Sequence, residues 1–439
     1  MTSGGPVGDA REPCAPWKGR RLVLGVCGGI AAYKSVQLAR DLTLLGATVD
    51  VVLTGSARNF VAPLSFEGVT GRGALTDLFS VEGAALHVSL GREADCVCIA
   101  PATADFIARA ASGRASDLLT TAVVASGAPV VVAPAMNDSM FAHPRTQANL
   151  ARLEASPRYH RVGPATGLLA AGEGSGPGRM AEPGEVVDAV GRVMGSGGAL
   201  SGARVVVTGG PTREPIDPVR YLGNRSSGKM GVALARTAWL RGAEVTLVTG
   251  PASVPLPDGM EVVRVETARQ MRDAVLALAG EADAAVFAAA VADYRPREVK
   301  SGKIKRSEAG NSLTVGFTAN PDIAAGAVAR MKAGSVSVGF ALETSDLVAR
   351  AEAKLAAKGL DLIVANRAGE DGAGFEADTN RVTILGRGVA PRELPLMDKF
   401  AVAWEITGLI EARLGKGGGV VRTGHPHRKS AGAARRQPE

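Results

Sequence analysis

Cysteine is scarce in this chain: four residues in 439, at positions 14, 27, 96 and 98. They are too few, and too apolar in context, for a disulfide framework. The C-x-C of "DCVCIA" puts Cys96 and Cys98 on alternate positions of an interior strand, and with only five scattered histidines it makes a poor zinc site. Long apolar runs are missing as well. None reaches the roughly 18 residues that would span a bilayer, and residues 1–18 hold no apolar stretch of the kind found in a secretory leader. A cytoplasmic, reduced protein with no membrane partner is the expectation. Aromatic residues make up only 4% while glycines number 56, a balance that suits helices packed closely over parallel strands. With 46% hydrophobic and 21% charged residues the chain has the make-up of a globular protein with a large core, and its length suggests two domains.

From Arg413 to the end acidic residues are nearly absent. Seven basic residues (Arg413, Lys416, Arg422, Arg428, Lys429, Arg435, Arg436) face Glu439 alone and account for nearly all of the net charge of +7. A solvated basic tail is therefore expected, and no nucleic-acid partner.

What the sequence does have is one opening used twice. Residues 21–54 read "RLVLGVCGGIAAYKSVQLARDLTLLGATVDVVLT" and residues 204–249 read "RVVVTGGPTREPIDPVRYLGNRSSGKMGVALARTAWLRGAEVTLVT". Each starts with a short apolar run, passes through a Gly-containing turn, and enters a helical stretch containing "LAR" that ends near Gly. A β-branched run then follows, as in a βαβ unit. Leu38, Leu42 and Leu45 recur at i, i+4 and i+7, giving the first helix one apolar face. Further strand runs follow, "CVCIA" and "PVVVAPA" in the first half, "AAVFAAA", "SVSVGFA" and "LDLIVAN" in the second. An α/β fold is predicted: two doubly wound, Rossmann-like or flavodoxin-like, three-layer domains, each with a mostly parallel sheet and ligand sites at the strand C-terminal ends. The expected boundaries are a disordered tail at 1–19, a first domain at 20–192, a Gly-rich linker at 193–202, a second domain at 203–412 and a disordered basic tail at 413–439.

A dinucleotide-binding βαβ unit would carry an acid at the end of its second strand to hold the adenosine ribose. Here those strands end "VVLTGSA" and "TLVTGPA", which argues against a nicotinamide dehydrogenase. Thr54 and Ser56 are hydroxyls better suited to a monophosphate or flavin rim. Gly28 and Gly29 let backbone N–H groups approach a ligand at the strand-to-helix turn. "APATADFIA" at 100–108 and "APAMNDSM" at 133–140 each put Ala-Pro after an apolar strand, then small or amide-bearing residues. Three such runs in one domain point to a single crevice.

These residues also carry a resemblance. "GGIAAYK", "APATAD", "PAMN" and "GPGRM" resemble the flavin-dependent phosphopantothenoylcysteine decarboxylases. "TGGPTREPIDPVRY", "NRSSGKMG", "AAVADYR", "KIK", "NPDI" and "GFALET" resemble the bacterial phosphopantothenate–cysteine ligases. Their order and fusion are similar to those of the bifunctional coenzyme A biosynthesis enzymes, from about 20 to 410. Residues 223–230, "GNRSSGKM", therefore do not read as a P-loop. The preceding strand ends near Thr208, more than ten residues earlier, and Met230 has no hydroxyl for Mg²⁺.

For the first half the resemblance implies FMN, which supplies the electron sink that a cysteine carboxylate lacks when it loses CO₂. It implies a cofactor crevice at Gly28, Gly29, Ile30, Thr54, Pro101, Ala102, Thr103 and Ala104, a proton-handling His87 in "LHVSLG", and an Asn137 that binds the leaving carboxylate. The usual cysteine before "GPGRM" is missing. Ala171 stands nearest to its place, with Glu173 and Ser175 as candidate donors. For the second half the resemblance implies that CTP activates 4'-phosphopantothenate as an acyl-cytidylate, which the amine of cysteine then attacks, with Mg²⁺ on unassigned ligands. Asn224 would hold the intermediate and Lys303 would act as the essential lysine. Ala288, Ala289, Asp293, Lys303 again, Pro321, Asp322, Ile323, Ala324, Phe340, Lys354 and Lys358 would form the CTP set, Lys354 and Lys358 sharing a helix face. Decarboxylase trimers and ligase dimers combine, on this resemblance, into a homo-dodecamer. Two other readings stay open: a flavin decarboxylase of peptide cysteines, and a flavoprotein regulatory subunit without catalysis.

Overall fold

The computed structural model describes residues 14–79, 86–257, 259–309, 311–374, 376–387 and 389–417. Most of the two tails expected to be disordered, 1–13 and 418–439, lies outside the described residues. In the first half the chain runs β1 (Arg21–Val26), α1 (Ala32–Leu44), β2 (Thr48–Leu53), α2 (Pro63–Thr70), α3 (Leu86–Glu93), β3 (Cys96–Ala102), α4 (Ala104–Ala111) and α5 (Leu118–Ala125). It continues through β4 (Val130–Pro134), α6 (Asp138–Ala142), α7 (Pro144–Glu154), β5 (Tyr159–Arg161), β6 (Ala165–Leu168), β7 (Ser175–Arg179) and α8 (Pro183–Gly195). Five parallel strands stand in the order β2-β1-β3-β4-β5, and β6 and β7 form a separate antiparallel hairpin. This is the flavodoxin-like order. Leu22, Leu24 and Val26 face α1 and α8 through Leu38, Leu42 and Val190. Val23, Val97 and Ile99 face the opposite layer with Phe106 and Leu119. Helices cover both faces, so the strands are apolar at every position instead of alternating. Cys96 and Cys98 are core residues, and burial pushes the Cys96 thiol up to about 12.

The second half runs β8 (Arg204–Gly209), β9 (Arg213–Pro215), β10 (Tyr221–Gly223), α9 (Lys229–Leu240), β11 (Glu244–Thr249), β12 (Glu261–Arg264), α10 (Ala268–Ala279), β13 (Ala284–Phe287) and β14 (Tyr294–Pro296). It continues with α11 (Arg306–Ala309), β15 (Phe317–Ala319), α12 (Ile323–Val328), β16 (Val336–Glu343), α13 (Leu347–Lys358), β17 (Leu362–Arg367), β18 (Thr379–Gly386), β19 (Val389–Asp398) and α14 (Lys399–Gly417). The main sheet has the order β12-β11-β8-β13-β16-β17-β18-β19. It is parallel through β17, with β18 and β19 antiparallel at one end. The first six strands follow the Rossmann order. Among the described residues no helix is long and apolar enough to cross a membrane.

The boundaries differ from the sequence expectation at three places. Trp17, within the expected N-terminal tail, is 5% exposed and belongs to the first core. Helix α14 includes residues 413–417 of the expected C-terminal tail. The expected linker begins inside α8, and its Leu200 is fully buried. Its glycines serve close approach: a Cβ at Gly195 would lie 1.9 Å from Leu240 O on α9. Asp188 pairs with Arg236 at 2.6 Å, and Arg192 donates to Trp239 O and Ala243 O, each at 2.7 Å. Glycine-rich composition signals either flexibility or tight packing, and only the neighbours distinguish the two.

Candidate functional site

In the second sheet the chain leaves β8 toward β11 on one side and returns to β13 on the other. Strand order reverses there, and a crevice opens at the C-terminal ends of the strands. A cleft of about 520 Å³ occupies this point. Its walls include Asn224, Ala288, Ala289, Asp293, Pro321, Asp322, Ile323, Ala324, Phe340, Lys354 and Lys358. Ser226, Ser227 and Gly228 bring the start of α9 to the same cleft. Gly228 offers that helix no side-chain cap, and beyond Lys229 N, which donates to Ser227 Oγ at 3.5 Å, the N–H groups of its first turn are suited to an anion. Between β8 and α9 lies the whole β9–β10 hairpin, which a P-loop would not contain.

Local bonds orient these side chains. Asn224 Nδ2 donates to Ala290 O and Val291 O, both at 3.1 Å, which leaves its Oδ1 as the group available to a ligand. Asp322 caps α12 by accepting from Ala325 N at 3.1 Å, and also pairs with Lys358 at 3.1 Å. Lys354 pairs with the buried Glu343 at 2.6 Å. Lys354 and Lys358 thus stand one turn apart on α13, each steadied by a carboxylate.

Lys303 is placed differently. It is exposed, and the cleft walls do not include it. Its loop bonds instead to the turn at 216–220, where Lys300 N donates to Ile216 O and Ile304 N to Asp217 Oδ2. Burial would raise the Asp217 carboxyl, but N–H bonds from Val219, Ile304 and Arg220 hold it below the usual carboxylate range.

Sequence reasoning missed Thr208, Lys229, Asn320, Asn366, Asn380 and Lys399, all of which line the cleft. Asn320 directly precedes the "PDI" run and was within reach of that motif. Lys399 was not, because it enters only through the antiparallel extension. Lys399 Nζ donates to Gly374 O at 2.8 Å. Burial, helped by Lys229 and opposed by Asp378, lowers this ammonium from 10.5 to about 8. Unfolded chains therefore bind the extra proton between these values, and the destabilisation is fully present below about pH 8. The parent should gain stability relative to Lys399→Met as pH rises from 8 to 10.5, as read by paired thermal melts. A pH-independent difference would contradict the shift.

In the first half the candidate residues meet along one sheet edge. Gly28, Gly29 and Ile30 follow β1, Thr54 follows β2, Pro101 and Ala102 end β3, Thr103 caps α4, which opens with Ala104, and Asn137 follows β4. Helix α3 ends beside the start of β1, where Glu93 pairs with Arg21. Its first turn, with His87, accordingly points back to the C-terminal edge of the sheet. His87 Nδ1 is buried without a hydrogen-bond partner among the described residues. Helix α1 starts without a side-chain cap just after Gly29, and a Cβ at Gly29 would meet open space. The Thr54 hydroxyl departs from its expected role on the rim: 8% exposed, it donates to Val26 O and accepts from Ala57 N, both at 3.3 Å, closing the turn. Ala171 and Glu173 lie in the exposed connection between β6 and β7, and Ser175 begins β7.

The hairpin β6–β7 explains why "GPGRM" needs its glycines. Met136 N donates to Gly178 O at 2.9 Å, and a Cβ on Gly178 would fall 2.2 Å from Met136 O. Gly178→Ala must push the hairpin off the segment that carries Asn137, at about 1–3 kcal/mol. On the activities that the resemblance implies, the expected outcome is a lower melting temperature and weakened decarboxylation with ligation unchanged. Unaltered decarboxylation would show that the hairpin does not shape this edge.

Residues 12–195 match the Flavoprotein family, and residues 200–414 match the DNA/pantothenate metabolism flavoprotein C-terminal domain. The chain is 43% identical over 400 residues to the coenzyme A biosynthesis bifunctional protein CoaBC of Vibrio vulnificus (strain YJ016), covering 90% of this chain and 98% of that one. It is 45% identical over 375 residues to the protein of the same description from Mycobacterium bovis (strain ATCC BAA-935 / AF2122/97), covering 82% and 89%. Among solved structures, the C-terminal domain of a CoaBC protein is 39% identical, with a TM-score of 0.42, covering 50% of this chain and 98% of that one.

Proposed function

This chain belongs to the family of coenzyme A biosynthesis bifunctional proteins, CoaBC, and from that premise we propose how its two halves divide the work. It is a bifunctional enzyme of coenzyme A biosynthesis with a flavoprotein half and a ligase half. Residues 203–412 join 4'-phosphopantothenate to cysteine through an acyl-cytidylate made from CTP. Residues 20–192 then decarboxylate phosphopantothenoylcysteine to 4'-phosphopantetheine with FMN. The observation that carries this reading is that each half gathers its motif residues, Lys303 apart, at the C-terminal edge of its own sheet, at two separate places.

The first edge suits a flavin phosphate. The uncapped start of α1 and the open space beside Gly29 make an anion cradle between β1 and β3. Bound FMN supplies the reversible two-electron chemistry. Asn137 presents the donor end of its amide to the leaving carboxylate, since its Oδ1 already accepts from Ser139 N at 2.9 Å. An amide holds the anion without a full charge that would trap it. His87 handles a proton at Nδ1, its buried and unpartnered nitrogen. Ala171 has no proton to give, so water or a neighbour such as Glu173 protonates the product.

In the ligase half, Lys354 and Lys358 face the nucleotide while the start of α9 takes phosphate oxygens. Asn224 holds the acyl intermediate through Oδ1. Among the described residues no three His, Cys, Asp or Glu side chains converge on a metal position. Mg²⁺ that arrives with the triphosphate needs only one or two carboxylates, and Asp293 on the cleft wall suits it. Exposed apolar residues on both halves, among them Tyr33 and Phe79 in the first and Val219 and Tyr294 in the second, favour assembly through both, as in the dodecamer.

The test is to incubate the protein with phosphopantothenate, cysteine, Mg²⁺ and either CTP or ATP, and to follow products by mass. Phosphopantetheine formed with CTP is the expected result. Formation with ATP alone would move the nucleotide assignment, and no product with either would favour a regulatory flavoprotein.

A further inference from the structure

The loop that carries Lys303 lies outside the cleft wall, so its position is set elsewhere. Its backbone is gripped at two points by the turn at 216–220. Lys300 N donates to Ile216 O at 3.0 Å. Ile304 N donates to Asp217 Oδ2 at 3.1 Å. Arg220 closes the second grip: Nη1 donates to the same Oδ2 at 2.6 Å and to Ile304 O at 3.1 Å. The other carboxylate oxygen, Oδ1, accepts from Val219 N and Arg220 N, each at 2.8 Å. Asp217 is 2% exposed and is not part of the cleft wall. A buried carboxylate is costly unless its bonds are satisfied. Here they go to its own turn and to the residue that follows Lys303.

We propose that Asp217 is the positioning residue for Lys303: its Oδ2 clasps Ile304 and so fixes where the neighbouring ammonium stands during acyl activation. This rests on the reading that Lys303 serves that step. The division of labour between the two oxygens makes the idea testable. In Asp217→Asn the remaining carbonyl can keep the two N–H bonds of the turn at the Oδ1 position. The new NH₂ then faces the Ile304 N–H and the Arg220 guanidinium, donor against donor, and the loop is released while the turn survives. Ile304→Pro reaches the same point from the other side, because it deletes the N–H and leaves Asp217 intact.

The experiment combines two readouts on the full-length protein. Lys300, Lys303, Lys305 and Arg306 make the loop a trypsin target. Both variants should be cut in this loop several-fold faster than the parent, with normal FMN content, Ile304→Pro at Lys300 and Lys305 because trypsin does not cleave a Lys–Pro bond. Acyl-cytidylate formation should fall about tenfold, the loss of roughly one charge-assisted hydrogen bond. In a Lys303→Gln background, Asp217→Asn should cause little further loss, because both changes remove the same interaction. Unchanged cleavage in both variants would overturn the clasp. Additive losses would mean that Asp217 acts through something other than Lys303. A normal rate for Lys303→Gln alone would overturn the underlying role of the lysine, and with it the proposal, while faster cleavage would show that the failure lay with the lysine and not with the clasp.

Discussion

Asn137→Ala is expected to lower CO₂ release about 10²-fold or more, the scale of the loss when a group that positions the reacting carboxylate is removed. Ligation should continue at the parent rate, because the cleft of the second half shares no residue with this edge. One confounding effect is local. Asn137 also caps the five-residue α6 through Ser139 N, and losing a cap costs about 1 kcal/mol. Asn137→Asp separates the two effects: it restores the capping oxygen but sets a negative charge against the substrate carboxylate. Carboxyl-labelled phosphopantothenoylcysteine reports decarboxylation directly, and pyrophosphate release reports ligation. Both variants should be inactive in the first assay, with only the alanine variant less stable. An active Asp variant would make Asn137 a structural cap, and loss of both activities in a stable, assembled protein would show that the sites are coupled.

Lys303→Gln should depress acyl-cytidylate formation by about 10²–10³-fold, with little change in FMN content or decarboxylation. On the proposed role, the flexible stem of Lys303 brings a point charge to the reacting phosphate and stabilises negative charge that builds only in the transition state. Asn224→Asp should behave differently. Asn224 Nδ2 donates to Ala290 O and Val291 O, and a carboxylate oxygen would meet both carbonyls acceptor to acceptor. The side chain would swing away, so the cytidylate should form but be captured poorly by cysteine. The two variants are compared by quenching enzyme with labelled CTP and phosphopantothenate, first without and then with cysteine. Normal cytidylate formation by Lys303→Gln would leave Lys303 as an exposed lysine in a loop that Asp217 holds through Ile304 N. Accumulation followed by normal capture in Asn224→Asp would remove Asn224 from the second step.

Much of the candidate site was legible because it sits in contiguous runs. "APATAD" and "PAMN" run off the C-terminal ends of the parallel strands β3 and β4, and a strand C-terminus in a doubly wound sheet opens onto the crevice, while "NPDI" joins the β14–β15 hairpin to the start of α12. Gly28 and Gly29 were legible for the same reason. Lys303 lies outside the cleft wall, and nothing local announced this, because a lysine in a loop carries no periodic signal and its loop is bonded to Asp217, 86 residues earlier. Asn380 on β18 and Lys399 at the start of α14 went unnoticed because they reach the cleft from the antiparallel extension of the sheet and the helix that follows it, where no βαβ grammar announces a ligand. The Thr54 hydroxyl looked available and is bonded within its own turn.

The sequence by itself determined the two α/β halves, their mostly parallel sheets and the family, since apolar runs, helical periodicity and contiguous motifs are local properties of a chain. Tertiary structure alone decided the rest. It showed that the glycines around 195 join the halves by close packing instead of flexing, because a Cβ there would strike Leu240 O. It also drew Asn224, Phe340, Lys354 and Lys399 around one cleft, and moved Lys303 out of the cleft wall onto the turn held by Asp217. Contacts between residues far apart in sequence depend on how whole elements dock, and no local pattern encodes which buried carboxylate will hold which loop.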